Sequence, residues 1–298
     1  MRNSHRYGPW ALVTGASDGI GKALATHIAA AGINVVLVAR SGDKLQTLAA
    51  ELTDSHGVET LVLPADLAVP GATDAVEDLT NRLDIGLVVL AAGFGTTGSF
   101  LETALPEELQ LIAVNITAVT RLAHTFAGRL ATRGTGGIVL FSSIVGWQGV
   151  AGQANYAASK AYVQSLAEGL HGELAPRGVD VLAVAPGPVD SGFGARAGLT
   201  MTFATTTDVV ATATLNALGR RPTVIPGARG KFLTAALTPL PRRIRSRILG
   251  KVIAGMRSHN LPTASNPLTG RRSRAAAPTT GQPEGGASGA RRDRPCRR

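Results

Sequence analysis

Short apolar runs alternate with longer amphipathic stretches along the first 226 residues. Runs such as VVLVA are apolar at every position, which is typical of strands that helices cover on both faces of a parallel sheet. The pattern predicts strands near residues 10–13, 35–39, 60–63, 87–91, 137–141, 179–185 and 223–225. It predicts helices near residues 20–31, 44–55, 72–82, 106–132, 155–175 and 207–218. Regular alternation of this kind predicts an α/β fold, a Rossmann-type doubly wound parallel sheet of about seven strands with right-handed crossovers.

The same pattern divides the chain into three predicted segments. Residues 1–226 form the nucleotide-binding catalytic domain, which includes a substrate loop at 190–206. Residues 227–260 form a basic amphipathic segment with one or two appended helices. Residues 261–298 are rich in Pro, Gly, Ala, Ser, Thr and Arg, which is typical of a disordered tail.

The net charge of +10 is concentrated toward the C-terminus. Residues 1–238 contain 16 Lys and Arg against 18 Asp and Glu, so the predicted domain is not a general polyanion binder. The basic tail lacks interleaved aromatic residues, and we expect no specific nucleic acid partner. The single cysteine, Cys296, excludes an internal disulfide, and no apolar run approaches a membrane span of about 20 residues. We therefore expect a cytoplasmic protein, and we expect no bound metal.

Residues 240–256 have an apolar stripe at helical spacing and cations mainly on the other side. Two interpretations remain open for this segment. The stripe can dock on the domain or roof the substrate cleft, or the basic amphipathic helix can make peripheral contact with an anionic membrane surface.

The stretch TGASDGIG, residues 14–21, follows the first predicted strand and opens the first helix. Its glycines, Gly15, Gly19 and Gly21, allow a sharp turn and a close approach to a pyrophosphate. Free N–H groups and the helix dipole favour negative charge at that position. The intervening residues Ser17, Asp18 and Ile20 belong to the same predicted dinucleotide site.

Arg40 stands at the end of the second predicted strand, where an acidic residue would bind the ribose 2′-hydroxyl. An arginine suits a 2′-phosphate, so NADP(H) is preferred and NAD(H) is retained as an alternative. The other interpretation is that Arg40 is a solvated surface residue. Asp66, followed by Leu67, comes after the third strand and can accept from the adenine amino group or cap the next helix.

NYAASKAY, residues 155–162, contains two of the three tyrosines of the chain. Tyr156 and Lys160 are four apart and share a helix face, whereas Tyr162 points elsewhere. A tyrosine with an ordinary pKa near 10 needs a fixed cation to act at working pH. Ser143 follows the fifth predicted strand, at the sheet edge where ligands bind, and its hydroxyl can stabilise a developing oxyanion.

TGASDGIG, AVNITA, FSSIVG, YAASK and PGPVDS occur in this order, and residues 8–226 resemble the short-chain dehydrogenase/reductase family. The resemblance implies that Tyr156 is the general acid/base and that Lys160 lowers its pKa and reaches the nicotinamide ribose. It implies that Ser143 orients the substrate carbonyl. Asn115 would bend its helix and hold a water molecule in a proton relay.

The resemblance also extends to the nicotinamide end, where Pro186, Gly187 and Val189 of PGPVDS would lie. One motif departs from the family pattern, because Leu90 and Ala91 replace the usual pair of asparagines before Ala92 and Gly93. The two small residues still let the adenine ribose approach the backbone. We expect some loss of sheet or cofactor-site stability without loss of chemistry.

The substrate loop is mostly small and apolar, which favours a lipophilic carbonyl. Its candidate wall residues are Phe193, Leu199, Met201 and Phe203, and Ser143 would contact the same substrate. Arg196 could meet a phosphate or carboxylate, or it could be a solvated loop residue.

The predicted function is NADP(H)-dependent interconversion of a ketone and a secondary alcohol on a lipophilic or acyl-type substrate, 3-oxoacyl or steroid-like. A catalytically silent nucleotide-binding regulator or scaffold of the same fold is the alternative from another class. An epimerase or dehydratase would use the same tyrosine and lysine. The long helices near 106–132 and 155–175 imply, by the family resemblance, a homodimer or homotetramer.

Overall fold

The computed structural model describes residues 4–200 and 204–256. Its strands are Trp10–Thr14 (β1), Asn34–Ala39 (β2), Thr60–Pro64 (β3), Ile85–Leu90 (β4), Gly136–Phe141 (β5), Val179–Val184 (β6), Val189–Asp190 (β7), Thr205–Thr206 (β8) and Thr223–Val224 (β9). The α-helices are Ser4–Tyr7 (α1), Gly19–Ala29 (α2), Gly42–His56 (α3), Ala72–Thr80 (α4), Leu105–Ile112 (α5), Val119–Arg133 (α6), Ala154–Leu174 (α7), Gly192–Arg196 (α8), Thr207–Ala217 (α9), Ala228–Leu237 (α10) and Arg242–Met256 (α11).

Seven strands form one parallel sheet in the order β3-β2-β1-β4-β5-β6-β9. The order reverses direction between β1 and β4, and open α/β sheets bind their ligands in the crevice at such a point. The predicted α/β fold with a doubly wound parallel sheet is confirmed, and all seven predicted strands occur within about two residues of their expected positions.

Alternate strand residues point to opposite faces, and each face is buried under helices. Val13 and Leu37 belong to the core on the side of α2, α3 and α9. Leu12 and Val36 belong to the core on the side of α4, α6 and α7. All four side chains have no exposed surface, which explains why the strand sequences are apolar at nearly every position.

The predicted helix near 106–132 is not continuous. A π-helical turn at Ala113–Ala118 separates α5 from α6, and Asn115 lies inside that turn. π-helical turns occur mostly as single insertions and frequently mark functional sites. The short helix α8 and strand β8 lie within the segment that the sequence predicts only as a substrate loop, and the two-residue strand β7 lies at its start.

The basic C-terminal segment folds as two helices, and its apolar stripe packs on the domain. Leu237, Leu249 and Ile253 are buried in a third core together with Val145 and Tyr156. Ser246 also donates a hydrogen bond of 2.6 Å to the carbonyl oxygen of Gly149. Of the two interpretations left open for this stripe, the structure shows docking. Across residues 4–200 and 204–256, no helix is long and apolar enough to cross a membrane.

Candidate active site

A cleft of about 490 Å³ opens at the carboxyl ends of the central strands, at the reversal between β1 and β4. The glycine-rich turn after β1, the end of β2 and the turn after β3 line one end of the cleft. The residues after β5 and β6, helix α7 and the two C-terminal helices line the other end. Residues that are far apart in the sequence therefore meet here because parallel strands end at one edge.

The glycine-rich turn has the shape that a dinucleotide requires. Gly15 and Gly19 have φ angles of 69° and 56°, a region that favours glycine. A Cβ at Gly21 would lie 2.2 Å from the carbonyl oxygen of Gly15, so the helix and the turn can approach this closely only without a side chain. Asp18 caps α2 by accepting a 2.7 Å hydrogen bond from Gly19 N. The N-terminus of α2 therefore faces the cleft and fits a pyrophosphate.

Arg40 lies at the cleft wall, as expected, and it is accompanied by a second cation. Ser41 and Lys44 line the cleft beside it. Sequence reasoning missed Lys44, although it is four residues from Arg40 and α3 begins between them at Gly42. Two cations and a hydroxyl at the end of β2 fit a 2′-phosphate better than a free ribose hydroxyl.

Asp66 and Leu67 also line the cleft, on the side where an adenine is expected. The alternative role of Asp66 as a helix cap is wrong, because Gly71 occupies the N-cap position of α4. The Asp66 carboxylate instead accepts a 3.0 Å hydrogen bond from Ala68 N, which forms a local turn.

The replacement of the two asparagines after β4 has a physical explanation. Leu90 is buried in the core on one side of the sheet and Ala91 packs against the core on the other side. The hydroxyl of Thr14 accepts a 3.1 Å hydrogen bond from Ala92 N and lies 3.5 Å from the carbonyl oxygen of Val89. Thr14 therefore ties β1 to β4 where an asparagine side chain is missing. Ala92 and Gly93 line the cleft as expected.

Tyr156, Lys160 and Ser143 lie together at the other end of the cleft. Lys160 Nζ donates a 2.9 Å hydrogen bond to the carbonyl oxygen of Phe141 and lies 5.6 Å from the centre of the Tyr156 ring. The Ser143 hydroxyl accepts from Val145 N at 3.4 Å and lies 3.4 Å from the carbonyl oxygen of Pro186. The fold therefore brings the tyrosine hydroxyl, the lysine ammonium group and the serine hydroxyl into the same cleft.

Burial dominates the electrostatics of this group. Burial raises the pKa of Tyr156 to about 12, and a hydrogen bond with Ser143 acts in the opposite direction. Burial lowers the pKa of Lys160 to about 8. Burial is thus the largest cause of the Tyr156 shift. The expected role of Lys160 in lowering the tyrosine pKa stays a prediction.

Asn115 is buried and its amide group is fully engaged. Its Nδ2 donates to the carbonyl oxygen of Phe94 at 2.9 Å and to Ser159 Oγ at 3.1 Å. Its Oδ1 accepts from Phe94 N at 3.1 Å. The side chain thus anchors the segment after β4 to α7, while the helix irregularity expected at this position is the π-helical turn. The proposed water-holding role stays a prediction.

The remaining predicted residues divide into three groups. Pro186, Gly187 and Val189 line the cleft after β6, and Phe193 and Leu199 line its substrate end. Met201 and Phe203 lie outside the described residues. Tyr162 lies away from the cleft, is 39% exposed, and shares a 2.9 Å hydrogen bond with Thr120.

The sequence did not identify most of the substrate end. Its additional lining residues are Phe94, Gln110, Val114, Val145, Gln153, Leu233, Leu249, Val252, Ile253 and Met256. Leu233 comes from α10. Leu249, Val252, Ile253 and Met256 come from α11, for which roofing of the cleft is one of the predicted alternatives. The other residues belong to no recognisable sequence motif, because only the tertiary fold places them at the cleft.

Comparison with known proteins agrees with this site. The family described as short chain dehydrogenase matches residues 9–201. A 7beta-hydroxysteroid dehydrogenase of Collinsella aerofaciens is 31% identical over 238 residues, which cover 78% of this chain and 90% of that protein. A very-long-chain 3-oxoacyl-CoA reductase of Meyerozyma guilliermondii is 39% identical over 186 residues, covering 58% of this chain and 54% of that protein.

A solved structure of a short-chain dehydrogenase from Sphingobium yanoikuyae in complex with NADPH is 34% identical, with a TM-score of 0.69. The superposition covers 86% of this chain and 99% of that chain.

The chain belongs to the short-chain dehydrogenase family. It is an NAD(P)-dependent oxidoreductase that interconverts a ketone and a secondary alcohol, and it uses NADP(H). The enzyme hypothesis is therefore confirmed over the silent regulator of the same fold.

Proposed function

We propose that the protein reduces bulky lipophilic ketones, steroid-like or 3-oxoacyl, with NADPH. The observation that carries this proposal is the apolar wall at the substrate end of the cleft, where Phe94, Val145, Phe193, Leu249 and Ile253 contribute side chains. Such a wall favours an extended apolar substrate because each buried methylene group contributes about 0.8 kcal/mol. Two of the relatives above carry names that specify a steroid and a long acyl chain.

In this proposal, Tyr156 gives its hydroxyl proton to the ketone oxygen as the alcohol forms. The high pKa of the buried tyrosine keeps it protonated at neutral pH, so the acid form is available for reduction. Ser143 donates a hydrogen bond to the same oxygen and fixes its position. When bound, NADPH would supply the hydride that the carbonyl carbon receives.

Lys160 completes the proposed set. With a pKa of about 8, it is mainly charged at pH 7, although it is buried. Its contact with the carbonyl oxygen of Phe141 fixes the ammonium group at the end of β5, within the cleft. From that position it can bind the nicotinamide ribose and stabilise negative charge that develops on Tyr156.

In the same proposal, each part of the cofactor is bound by a different group of residues at the cofactor end of the cleft. The turn with Gly15, Gly19 and Gly21 binds the pyrophosphate, and Arg40 binds the 2′-phosphate together with Lys44. The adenine contacts come from Asp66, Leu67, Ala92 and Gly93. The nicotinamide lies against Pro186, Gly187 and Val189.

An NADPH-consumption screen tests the substrate class. Purified full-length protein is assayed with steroid ketones, 3-oxoacyl thioesters and short polar ketones at equal concentration. We expect the highest kcat/KM with the bulky apolar ketones, and no signal above background with Tyr156→Phe. Turnover restricted to short polar ketones would contradict the proposed substrate class while leaving the reaction type in place.

We also propose that two copies associate through α5, α6 and α7. Leu105 and Leu109 are 65% and 55% exposed on α5, and Tyr162 is partly exposed on α7. Apolar side chains at these positions favour contact with a second copy. Analytical ultracentrifugation of the native protein should show a dimer or tetramer, and Leu109→Glu should shift it toward monomer. A monomeric native protein would contradict the proposal.

For its location we propose the cytoplasm, with peripheral membrane contact through the outer face of α11. Arg243, Arg247 and Lys251 are exposed there, and no acidic residue occurs between positions 228 and 256. Because the apolar stripe is docked, this contact would be electrostatic and would weaken with salt. Sedimentation with anionic vesicles should decrease when these three residues are changed to Glu, and equal sedimentation of both proteins would contradict the contact.

A further inference from the structure

The short helix α8 connects the two ends of the cleft. At its C-terminal end, Arg196 Nη1 donates a 2.7 Å hydrogen bond to Asp18 Oδ2 in the glycine-rich turn. Near its beginning, the ring of Phe193 packs on Tyr156, with 5.5 Å between ring centres and a tilt of 44°. One helix of five residues therefore contacts both the proposed phosphate-binding turn and the proposed catalytic tyrosine.

The start of α8 lies close against the turn. A Cβ at Gly192 would lie 2.3 Å from Asp18 Oδ2 and 2.5 Å from Arg196 Nη1. A Cβ at Gly19 would lie 3.0 Å from the Cβ of Ser191. Glycine at both positions lets the helix rest directly on the turn, so the ion pair is part of a packed contact between two elements.

Arg196 neutralises the negative charge of Asp18, which lies close to the proposed binding position of the cofactor diphosphate. The carboxylate stands at the N-cap of α2, beside the turn that fits a pyrophosphate. A negative charge at that position repels a diphosphate unless a cation neutralises it. The hydrogen bond from Arg196 is also the main cause that lowers the pKa of Asp18, as expected for a carboxylate that faces a cation.

We propose that Arg196 is a positioning residue that ties α8 to the glycine-rich turn. It thereby neutralises Asp18 beside the cofactor diphosphate and holds Phe193 against the substrate end. The first part concerns cofactor binding alone. The second part rests on the proposed function, because it requires a ketone that contacts Phe193.

The two parts predict different behaviour for the two members of the pair. Arg196→Gln leaves Asp18 charged and unpaired, so NADPH affinity should fall by about threefold to fivefold, the upper end of the effect of a partly exposed ion pair. Asp18→Asn removes the repelling charge and keeps a capping side chain, so NADPH affinity should fall less than in Arg196→Gln. In Asp18→Asn/Arg196→Gln, the affinity should return to near the wild-type value.

The experiment measures NADPH binding to the full-length protein by fluorescence titration, without substrate, and separately the KM for a ketone identified by the screen. The KM should rise in both single variants with little change in kcat, because each releases α8. Arg196→Lys keeps the ion pair and should restore both parameters. Arg177→Gln, which changes an exposed arginine that does not line the cleft, is the matched control and should leave both unchanged.

Two results would overturn the proposal. One is NADPH affinity of Arg196→Gln within about twofold of wild type. The other is an equal loss of affinity in Asp18→Asn and Arg196→Gln, which would show that the pair acts through folding of the turn instead of charge. Both are read from binding alone, so they stay decisive even if no ketone is turned over.

Discussion

The two ends of the cleft are built in different ways. The cofactor end consists of backbone turns that follow consecutive strands β1, β2 and β3, and each turn contributes its own binding residues. The substrate end is assembled from seven separate parts of the chain, including α8, α10 and α11. A local turn can be recognised from a few residues, whereas a wall of apolar side chains from distant segments has no local signature.

The difference also has an energetic side. Strands β1, β2 and β4 are buried on both faces of the sheet, so the cofactor end is attached to the most protected part of the fold. Helix α11 has only two buried side chains, Leu249 and Ile253. We therefore expect changes at the substrate end to alter ketone selectivity while cofactor binding continues, and the following predictions test that separation.

The largest expected effect is at Tyr156, where the two ends meet. Tyr156→Phe removes the proton donor and should lower kcat by about 100-fold to 10,000-fold. NADPH affinity should change little, since the ring and its contact with Phe193 are kept. Stopped assays of kcat and fluorescence titration of NADPH measure the two properties. Tyr162→Phe is the matched control on the same helix and should keep full activity.

The next effect concerns the substrate end alone. Leu249 is 3% exposed, and Leu249→Ala should cost about 2–5 kcal/mol of local packing. We expect a higher KM for bulky ketones and faster hydrogen exchange in α11, with NADPH affinity and exchange in β4 unchanged. Ile244→Ala, on the exposed side of the same helix, should have little effect. Loss of NADPH affinity in Leu249→Ala would show that the two ends are not separable.

A change at the cofactor end should weaken NADPH binding and leave the KM for the ketone unchanged. Arg40→Asp replaces the cation at the end of β2 and should weaken NADPH binding by about tenfold to 100-fold, the loss of a charged hydrogen bond. NADH should become the better cofactor, while the KM for the ketone stays the same. Arg82→Asp, at an exposed position away from the cleft, controls for net charge. An unchanged cofactor preference would contradict the 2′-phosphate assignment.

The smallest expected effect is a pH dependence of stability that arises from Lys160. Its pKa is about 8 in the folded protein and 10.5 as the ordinary value, so the unfolded chain binds more protons between these pH values. The contribution of Lys160 to the free energy of unfolding should therefore rise between pH 8 and 10.5, by at most about 1.4 kcal/mol per pH unit, the limit for one titrating group. Below pH 8 the buried lysine is charged in the folded protein, and its destabilising contribution to the free energy of unfolding should be largest.

Denaturant titrations of the native protein and Lys160→Met over this pH range measure that contribution. The variant should lack the rise, since methionine carries no proton to release. A parallel pH dependence in both proteins would assign the effect to other groups and would argue against a desolvated lysine at this position.

The sequence predicted the sheet, its order of elements and the cofactor end because these depend on short-range patterns. The predicted strands match because their residues must be apolar on both faces. Arg40 is at the cleft because the residue after a parallel strand lies at the carboxyl edge. The sequence also separated Tyr156 from Tyr162, since only Tyr156 shares a helix face with Lys160.

Only the tertiary structure shows which residues from different parts of the chain contact each other and which are buried. Lys44 joins Arg40 at the cleft wall, and Thr14 takes over the link between β1 and β4. Burial, which no short motif encodes, set the pKa values of Tyr156 and Lys160. The pairing of Arg196 with Asp18 spans 178 positions, and only the folded chain brings them together. Spacing therefore determined which residues could act, and packing determined which neighbours they act with.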